Sequence, residues 1–128
     1  MAQDNFAIKP TEAELTLLNI LWKLGPATVR QVHDSVCETQ KTGYTTVLKI
    51  LQIMHEKTLV IRDESNRAHI YSAANSQTST QSSLLNDLVS KAFGGSTSKL
   101  VMRALDDSTS KQEIADIRQL LNEWEQQE

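Results

Sequence analysis

The residues from Lys41 to Tyr71, KTGYTTVLKILQIMHEKTLVIRDESNRAHIY, constrain the fold more than any other part of the chain. Apolar residues at helical spacing in the first half predict a helix with one buried face: Val47, Ile50, Leu51 and Met54. Two short runs of strand-forming residues follow, 59–62 and 68–71, on either side of the polar turn 63–67. We therefore expect a helix that is followed at once by a two-stranded hairpin.

The outer face of this helix is suited to nucleic acid. It carries hydroxyls, an amide and one long cation, and it has no carboxylate before Glu56; these residues are Thr45, Thr46, Lys49 and Gln52. Such groups can donate to phosphate oxygens and hydrogen-bond to base edges without electrostatic repulsion. A helix of this kind before a hairpin with Arg67 near its tip is typical of a winged helix-turn-helix. The alternative is an ordinary solvated helix packed on a hairpin, because polar outer faces are common on surface helices.

The segments before this stretch favour the winged-helix interpretation. Two capping boxes, Thr11 with Glu14 and Thr28 with Gln31, predict the starts of two helices. The first is expected to end near Leu24, and the polar residues 39–43 form the turn into the third helix. The predicted buried positions are Leu15, Leu18, Leu21 and Trp22 in the first helix and Val29, Val32 and Val36 in the second.

The C-terminal part predicts three short amphipathic helices after a polar joint at residues 74–81. Gly94-Gly95 is expected to end the first helix, Ser96 to cap the second, and Ser110 with Glu113 to open the third. Three such helices are too few for an independent core, and an identical subunit is the simplest partner. The apolar positions expected to mediate dimerisation are Leu84, Leu88, Phe93, Ile114, Ile117, Leu121 and Trp124.

A net charge of −3 argues against binding to nucleic acid, but the distribution of charge along the chain weakens this argument. Residues 1–74 hold eight basic and eight acidic side chains, whereas residues 75–128 hold five and eight. A single cysteine excludes an internal disulfide and fits the cytoplasm, and no apolar run is long enough to span a membrane. The N-terminus MAQDNFAIKP is not expected to be a signal peptide.

An enzyme is not expected, because no nucleophile–base or metal constellation is evident. His33 and Cys37 are four residues apart on a predicted helix and could share a metal ion. Two ligands without a third favour a structural or solvent-facing pair, with Cys37 half-buried, and we expect no cofactor.

Several motifs in the right order carry a resemblance to a known family. They are PTEAELTLLNILWKLGPATVRQVHD, TTVLKILQIMHEKTLV, a wing ending in IYSAA, and FGGSTSKLVMRAL. The chain resembles the penicillinase-repressor (BlaI/MecI-type) family of bacterial transcriptional repressors over nearly its whole length. The resemblance implies a mainly α fold with a small β wing, in which residues 1–74 form a winged helix-turn-helix domain and residues 75–128 a three-helix dimerisation domain.

Together these features predict a homodimer that occupies a palindromic operator in double-stranded DNA, and the resemblance implies that it represses transcription. Groove contacts are expected from Tyr44, Thr45, Thr46 and Lys49, and phosphate contacts from Lys41, Lys57, Arg62 and Arg67. Relatives usually carry a further basic residue late in the recognition helix, where this chain has Ile53. The alternative function is a winged helix used for protein–protein contact, with the acidic C-terminal part as the docking surface.

The resemblance also bears on how repression is relieved. In antibiotic-responsive members a sensor-protease system, a candidate partner here, leads to cutting of an Asn-Phe bond in the dimerisation domain. The motif match sets Arg103-Ala104 at that position. Alanine offers an aromatic pocket little apolar surface, and arginine adds a charge that must be paired. We therefore expect release through another bond, another protease or a ligand. Copper sensing is not expected, because EWEQQE at the C-terminus has no cysteine.

Overall fold

The computed structural model describes residues 9–127, so most of the N-terminal stretch considered above lies outside the described residues. The chain divides into two compact units between Asn86 and Asp87. The elements in order are α1 (Glu12–Leu24), β1 (Ala27–Thr28), α2 (Val29–Val36), α3 (Tyr44–Glu56), β2 (Val60–Asp63), β3 (Ile70–Ala73), α4 (Gln77–Ala92), α5 (Thr97–Ala104) and α6 (Lys111–Gln126). The division falls within α4.

The predicted helix starts are confirmed, because local hydrogen bonds define them. Thr11 caps α1 by accepting from the Glu14 N–H at 3.2 Å, while Glu14 Oε1 accepts from the Thr11 N–H at 2.9 Å. The same reciprocal pair opens α2 at Thr28 and α6 at Ser110. Gly25 ends α1 with a φ of 80°, and its N–H donates to the Leu21 carbonyl. Each box satisfies backbone N–H groups that a helix otherwise leaves without partners.

The hairpin is confirmed, but its second strand begins two residues later than predicted, at Ile70. Ala68 and His69 therefore belong to the turn, in which Asp63 Oδ1 accepts from the Ser65 N–H at 2.9 Å. A third strand, β1, was not predicted. It pairs antiparallel with β3 and gives the sheet order β1-β3-β2. Two residues are too few to show an alternating pattern, so only the tertiary pairing reveals this strand.

The core of the N-terminal unit lies between α1, α2, α3 and the sheet. Every predicted position in α2 is buried, and in α3 only Ile50 remains partly exposed. Trp22 packs at the edge of the core and donates from Nε1 to the Asn75 carbonyl at 2.9 Å. Leu17 and Tyr71 are also buried, although the sequence did not single them out. The largest fully buried side chains are Tyr71, Leu51, Met54, Val32 and Val47.

The predicted joint at residues 74–81 is wrong, because α4 begins at Gln77. Ser76 accepts from the Ser79 N–H through its hydroxyl at 3.0 Å and from the Thr80 N–H through its carbonyl at 3.1 Å. A serine- and threonine-rich run resembles a linker because its hydroxyls compete for backbone groups, yet here one hydroxyl starts a helix. The expected domain boundary after Ala74 stays a prediction.

Three C-terminal helices are present as predicted, but only α5, with 8 residues, is short, because α4 and α6 have 16 residues each. Gly94 and Gly95 follow α4 with φ of 58° and 81°, and the Ser96 hydroxyl caps α5. None of the described residues of α4, α5 or α6 is buried. Leu121 and Trp124 are 60% and 65% exposed. The described part of a single subunit therefore leaves the apolar faces of these helices uncovered.

An ion pair between a buried carboxylate and a half-buried ammonium connects the start of α1 to the end of α3. Glu14 is 4% exposed, and the Lys57 ammonium lies 2.9 Å from both of its carboxylate oxygens. The sequence suggested Lys57 as a phosphate contact, but moving its ammonium to DNA would leave a buried carboxylate unpaired. Lys57 is therefore not proposed as a DNA contact.

Protonation of Glu14 is coupled to folding. Burial alone raises the pKa of its carboxyl, but hydrogen bonds from the Thr11 N–H and the Lys57 ammonium outweigh burial and lower the pKa below its ordinary value. A group with a lowered pKa stabilises the fold above its unfolded pKa, about 4.3 for glutamate, and loses that contribution as the pH falls through the folded pKa.

We predict that Glu14→Gln lowers the free energy of unfolding at pH 7 by about 2–3 kcal/mol, because charged hydrogen bonds to Lys57 and Thr11 are lost. The deficit should shrink as the pH falls below about 4.3, where the wild type loses the same interactions. Urea unfolding at several pH values measures both effects. The control is Glu12→Gln, which changes an exposed glutamate in the same helical turn. A deficit that does not change with pH would contradict the prediction.

Candidate DNA-binding interface

A cleft of about 480 Å³ lies between α2, α3 and the hairpin. Three arginines and a histidine line it, Arg30, Arg62, Arg67 and His69, and none of its described lining residues is acidic. The remaining lining residues are Thr28, Val29, Tyr44, Leu48, Gln52, Ala68 and Tyr71. Because cations and hydrogen-bond donors converge in a concave surface, the cleft favours an anionic ligand.

The outward face of α3 adjoins this cleft and is polar, as predicted. Thr45, Thr46 and Lys49 are exposed, whereas Val47 and Leu51 on the opposite face are completely buried. Gly43 precedes the helix without a side chain to cap it, so the N–H groups of the first turn have no side-chain cap among the described residues. N–H groups at a helix start attract phosphate oxygens.

Packing around Tyr44 holds the start of α3. The guanidinium carbon of Arg30 lies 6.0 Å from the centre of the Tyr44 ring, and the His33 ring meets the Tyr44 ring edge-on at 5.8 Å. Tyr44 is 43% exposed, so this packing leaves part of its ring accessible. The sequence did not point to Arg30, because only the tertiary fold brings it from α2 to α3. The capping box of Thr28 and Gln31 nevertheless predicts that Arg30 lies in the first turn of α2.

His33 and Cys37 meet each other beside the turn into α3. His33 Nε2 lies 2.8 Å from the Thr42 carbonyl oxygen and 3.3 Å from Cys37 Sγ, and the thiol donates to the same carbonyl at 3.4 Å. These contacts hold the turn, so of the two expected alternatives, a structural or a solvent-facing pair, they favour the structural one. Cys37 is exposed, so the expectation that it is half-buried is wrong. Within residues 9–127 no three histidine, cysteine or carboxylate side chains form a metal-binding group.

The two hairpin arginines differ in their partners. Arg62 donates from Nε to Glu64 at 2.7 Å, and its Nη2 lies 2.6 Å from the same carboxylate oxygen. Hydrogen bonds to Tyr71 and Glu64 raise the pKa of Arg62, so it stays charged. Arg67 is exposed in the turn. A phosphate would therefore compete with Glu64 for Arg62.

The predicted contacts therefore fall into four places. Tyr44, Arg62 and Arg67 line the cleft, Thr45, Thr46 and Lys49 lie on the outward face of α3, and Lys41 is exposed just before α3. Lys57 alone lies elsewhere, at Glu14.

The residues expected in the dimer interface are exposed or half-buried in one subunit. Leu88 and Ile114 are 48% and 41% exposed. Leu84, Phe93 and Ile117 are half-buried. With Leu121 and Trp124, they give α4 and α6 apolar surfaces that one subunit leaves accessible.

Comparison with known proteins agrees with this architecture. The sequence profile described as "Penicillinase repressor" matches residues 10–123. Proteins named transcriptional regulator BlaI from two strains of Mycobacterium tuberculosis, CDC 1551 / Oshkosh and ATCC 25618 / H37Rv, are each 27% identical over 115 residues, covering 89% of this chain and 83% of theirs. A MarR family protein from Bacillus stearothermophilus has a solved structure with a TM-score of 0.52 and 17% identity, covering 98% of this chain and 78% of that one. At that identity it shows the fold alone.

Among the residues that the structure describes, no helix is long and apolar enough to cross a membrane. The predicted fold, mainly α with a winged helix and a small sheet, is confirmed, and so is the predicted family. The chain belongs to the penicillinase repressor family and is a transcriptional regulator of the winged-helix type.

Proposed function

We propose that the protein represses transcription by binding a palindromic operator as a homodimer, with α3 in the major groove and the hairpin against the backbone. The observation that carries this proposal is the cleft beside α3, which collects Arg30, Arg62, Arg67 and His69 in a chain whose net charge is −3. Arg30 and Arg67 supply positive charge at this cleft, and Arg62 would add to it when a phosphate displaces Glu64. These arginines would provide the electrostatic attraction that DNA binding requires.

The proposed contacts with bases and phosphates follow from where each side chain lies in the structure. Tyr44, Thr45, Thr46 and Lys49 are proposed to contact base edges, because they lie on the exposed side of α3. Phosphates are assigned to exposed or cleft-lining cations: Lys41, Arg30, Arg62 and Arg67. Two-fold symmetry would set the two α3 helices about 34–36 Å apart, or a multiple of that distance.

The homodimer is proposed because α4 and α6 expose apolar side chains that a second subunit would cover. Within this scheme residues 75–128 form the dimerisation domain. The protein is proposed to act by binding alone, without a cofactor, and in the cytoplasm, where its DNA ligand would be.

A gel-shift assay against the DNA upstream of the protein's own gene tests the function. A retarded complex that survives excess unrelated competitor DNA at two salt concentrations would support sequence-specific binding. Complexes that the competitor removes equally from every duplex would favour the alternative, a winged helix for protein–protein contact.

We predict that Lys49→Ala weakens operator binding by about 1–3 kcal/mol, because the exposed ammonium in the middle of α3 would lose a base contact. Fluorescence anisotropy with operator and unrelated duplexes measures this change. Lys23→Ala, which removes an exposed lysine from α1, is the control and should leave affinity unchanged. An equal loss on both duplexes would indicate a phosphate contact instead, and no loss would remove Lys49 from the interface.

We predict that the double change Leu121→Ala and Trp124→Ala dissociates the dimer, since large side chains buried at an interface contribute about 2–5 kcal/mol each. Sedimentation at micromolar concentration measures the subunit mass, and operator affinity should fall in parallel. Leu24→Ala, on an exposed position of α1, is the control. A double variant that stays fully dimeric would place the interface elsewhere, for example on α4.

We predict slow cutting of the Arg103-Ala104 bond by an activated sensor-protease of the antibiotic-responsive type. The bond joins the last two residues of α5, so cutting requires local opening as well as acceptance of a charge and a small side chain. Fragments would be mapped by mass spectrometry. The double change Arg103→Asn and Ala104→Phe is the matched control and should accelerate cutting of this bond. Efficient cutting of the wild type there would overturn the prediction.

A further inference from the structure

Ile53 is an apolar side chain on an otherwise polar surface. It is 38% exposed on α3, whereas the core positions of that helix, Val47, Leu51 and Met54, are completely buried. Ile53 is not one of the buried residues that form the core, and part of its side chain is open to solvent.

The position of Ile53 on the helix is set by helical geometry. Ile53 lies four residues after Lys49 and seven after Thr46, spacings that bring side chains to the same side of an α-helix. At about 1.5 Å per residue, it is about 6 Å further along the axis than Lys49. When Thr46 and Lys49 face the major groove, as proposed above, Ile53 faces it too.

The major groove offers an isoleucine one apolar group, the C5-methyl group of thymine. Base edges otherwise present hydrogen-bond donors and acceptors, which an aliphatic side chain cannot satisfy. Contact with the methyl group removes apolar surface from water on both partners, whereas contact with a polar edge removes water without replacing its hydrogen bonds.

We propose that Ile53 is a specificity-determining residue that contacts the methyl group of one thymine in each operator half-site. The inference rests on the proposed function and extends it by naming a base and a group on that base. The contact should favour thymine about fourfold per half-site, which corresponds to the roughly 0.8 kcal/mol gained on burying one methyl group.

The test changes single methyl groups on the DNA. The wild-type protein would first select its operator from random duplexes. Each thymine of the selected half-site would then be replaced, symmetrically in both halves, by deoxyuridine, which pairs identically and lacks only the methyl group. Affinities of the wild type and of Ile53→Ala would be measured on both duplexes. The control is Leu24→Ala, which changes an exposed leucine of α1. Leu24 lies beside the acidic residues Asp34 and Glu38.

We expect the wild type and Leu24→Ala to lose about 15-fold in affinity at one symmetric thymine pair, which is about fourfold in each half-site. Ile53→Ala should bind the thymine operator less tightly and show no further loss with deoxyuridine. Equal methyl discrimination by Ile53→Ala and the wild type would overturn the inference and leave the proposed function standing. The inference would also be overturned, and the proposed function would stand, if the wild type bound the thymine and deoxyuridine operators equally at every position. That result does not depend on whether Ile53→Ala folds. Failure to select any sequence would instead overturn the proposed function.

Discussion

The ion pair between Glu14 and Lys57 holds the end of α3 against the start of α1. Its carboxylate closes the first turn of α1, and its ammonium belongs to the residue that caps the end of α3. Loss of Lys57 would leave the buried Glu14 carboxylate without a balancing charge, so the pair favours the arrangement in which the end of α3 meets the start of α1. At the other end of α3, the aromatic packing of Tyr44 against Arg30 and His33 supports the helix start. Both ends of the helix are therefore anchored to α1 and α2, and its middle remains accessible.

Basic and acidic side chains are unevenly distributed in this protein. The excess of acid lies after residue 75, while three arginines meet in one cleft of the N-terminal unit. For the proposed operator binding, a negative net charge implies modest non-specific affinity for DNA. Discrimination would then come from individual contacts on α3 and from the joining of two binding sites in the proposed homodimer. Pairing of Arg62 with Glu64 fits the same pattern, because a cation already paired on the protein attracts arbitrary DNA less strongly.

The sequence predicted most features that depend on residues close together in the chain, and it missed contacts between residues far apart in the chain. The three capping boxes were predicted correctly because each is formed by residues three positions apart. The start of α4 was misplaced because hydroxyl-rich residues occur both in linkers and at helix caps. Arg30 and the true partner of Lys57 were missed, since contacts across 14 and 43 residues leave no periodic signal. Exposure of Ile53 likewise depends on how α3 is rotated in the fold.

The uncovered apolar face of α6 has a consequence for the cell's control of this regulator. For the proposed homodimer, assembly depends on the square of the subunit concentration, so a modest fall in copy number removes a disproportionate share of the DNA-binding species. The chain would then respond to its own synthesis and degradation more steeply than a monomeric regulator could. In the proposed homodimer, the exposed apolar face of one helix would thereby make gene expression depend more steeply on protein abundance.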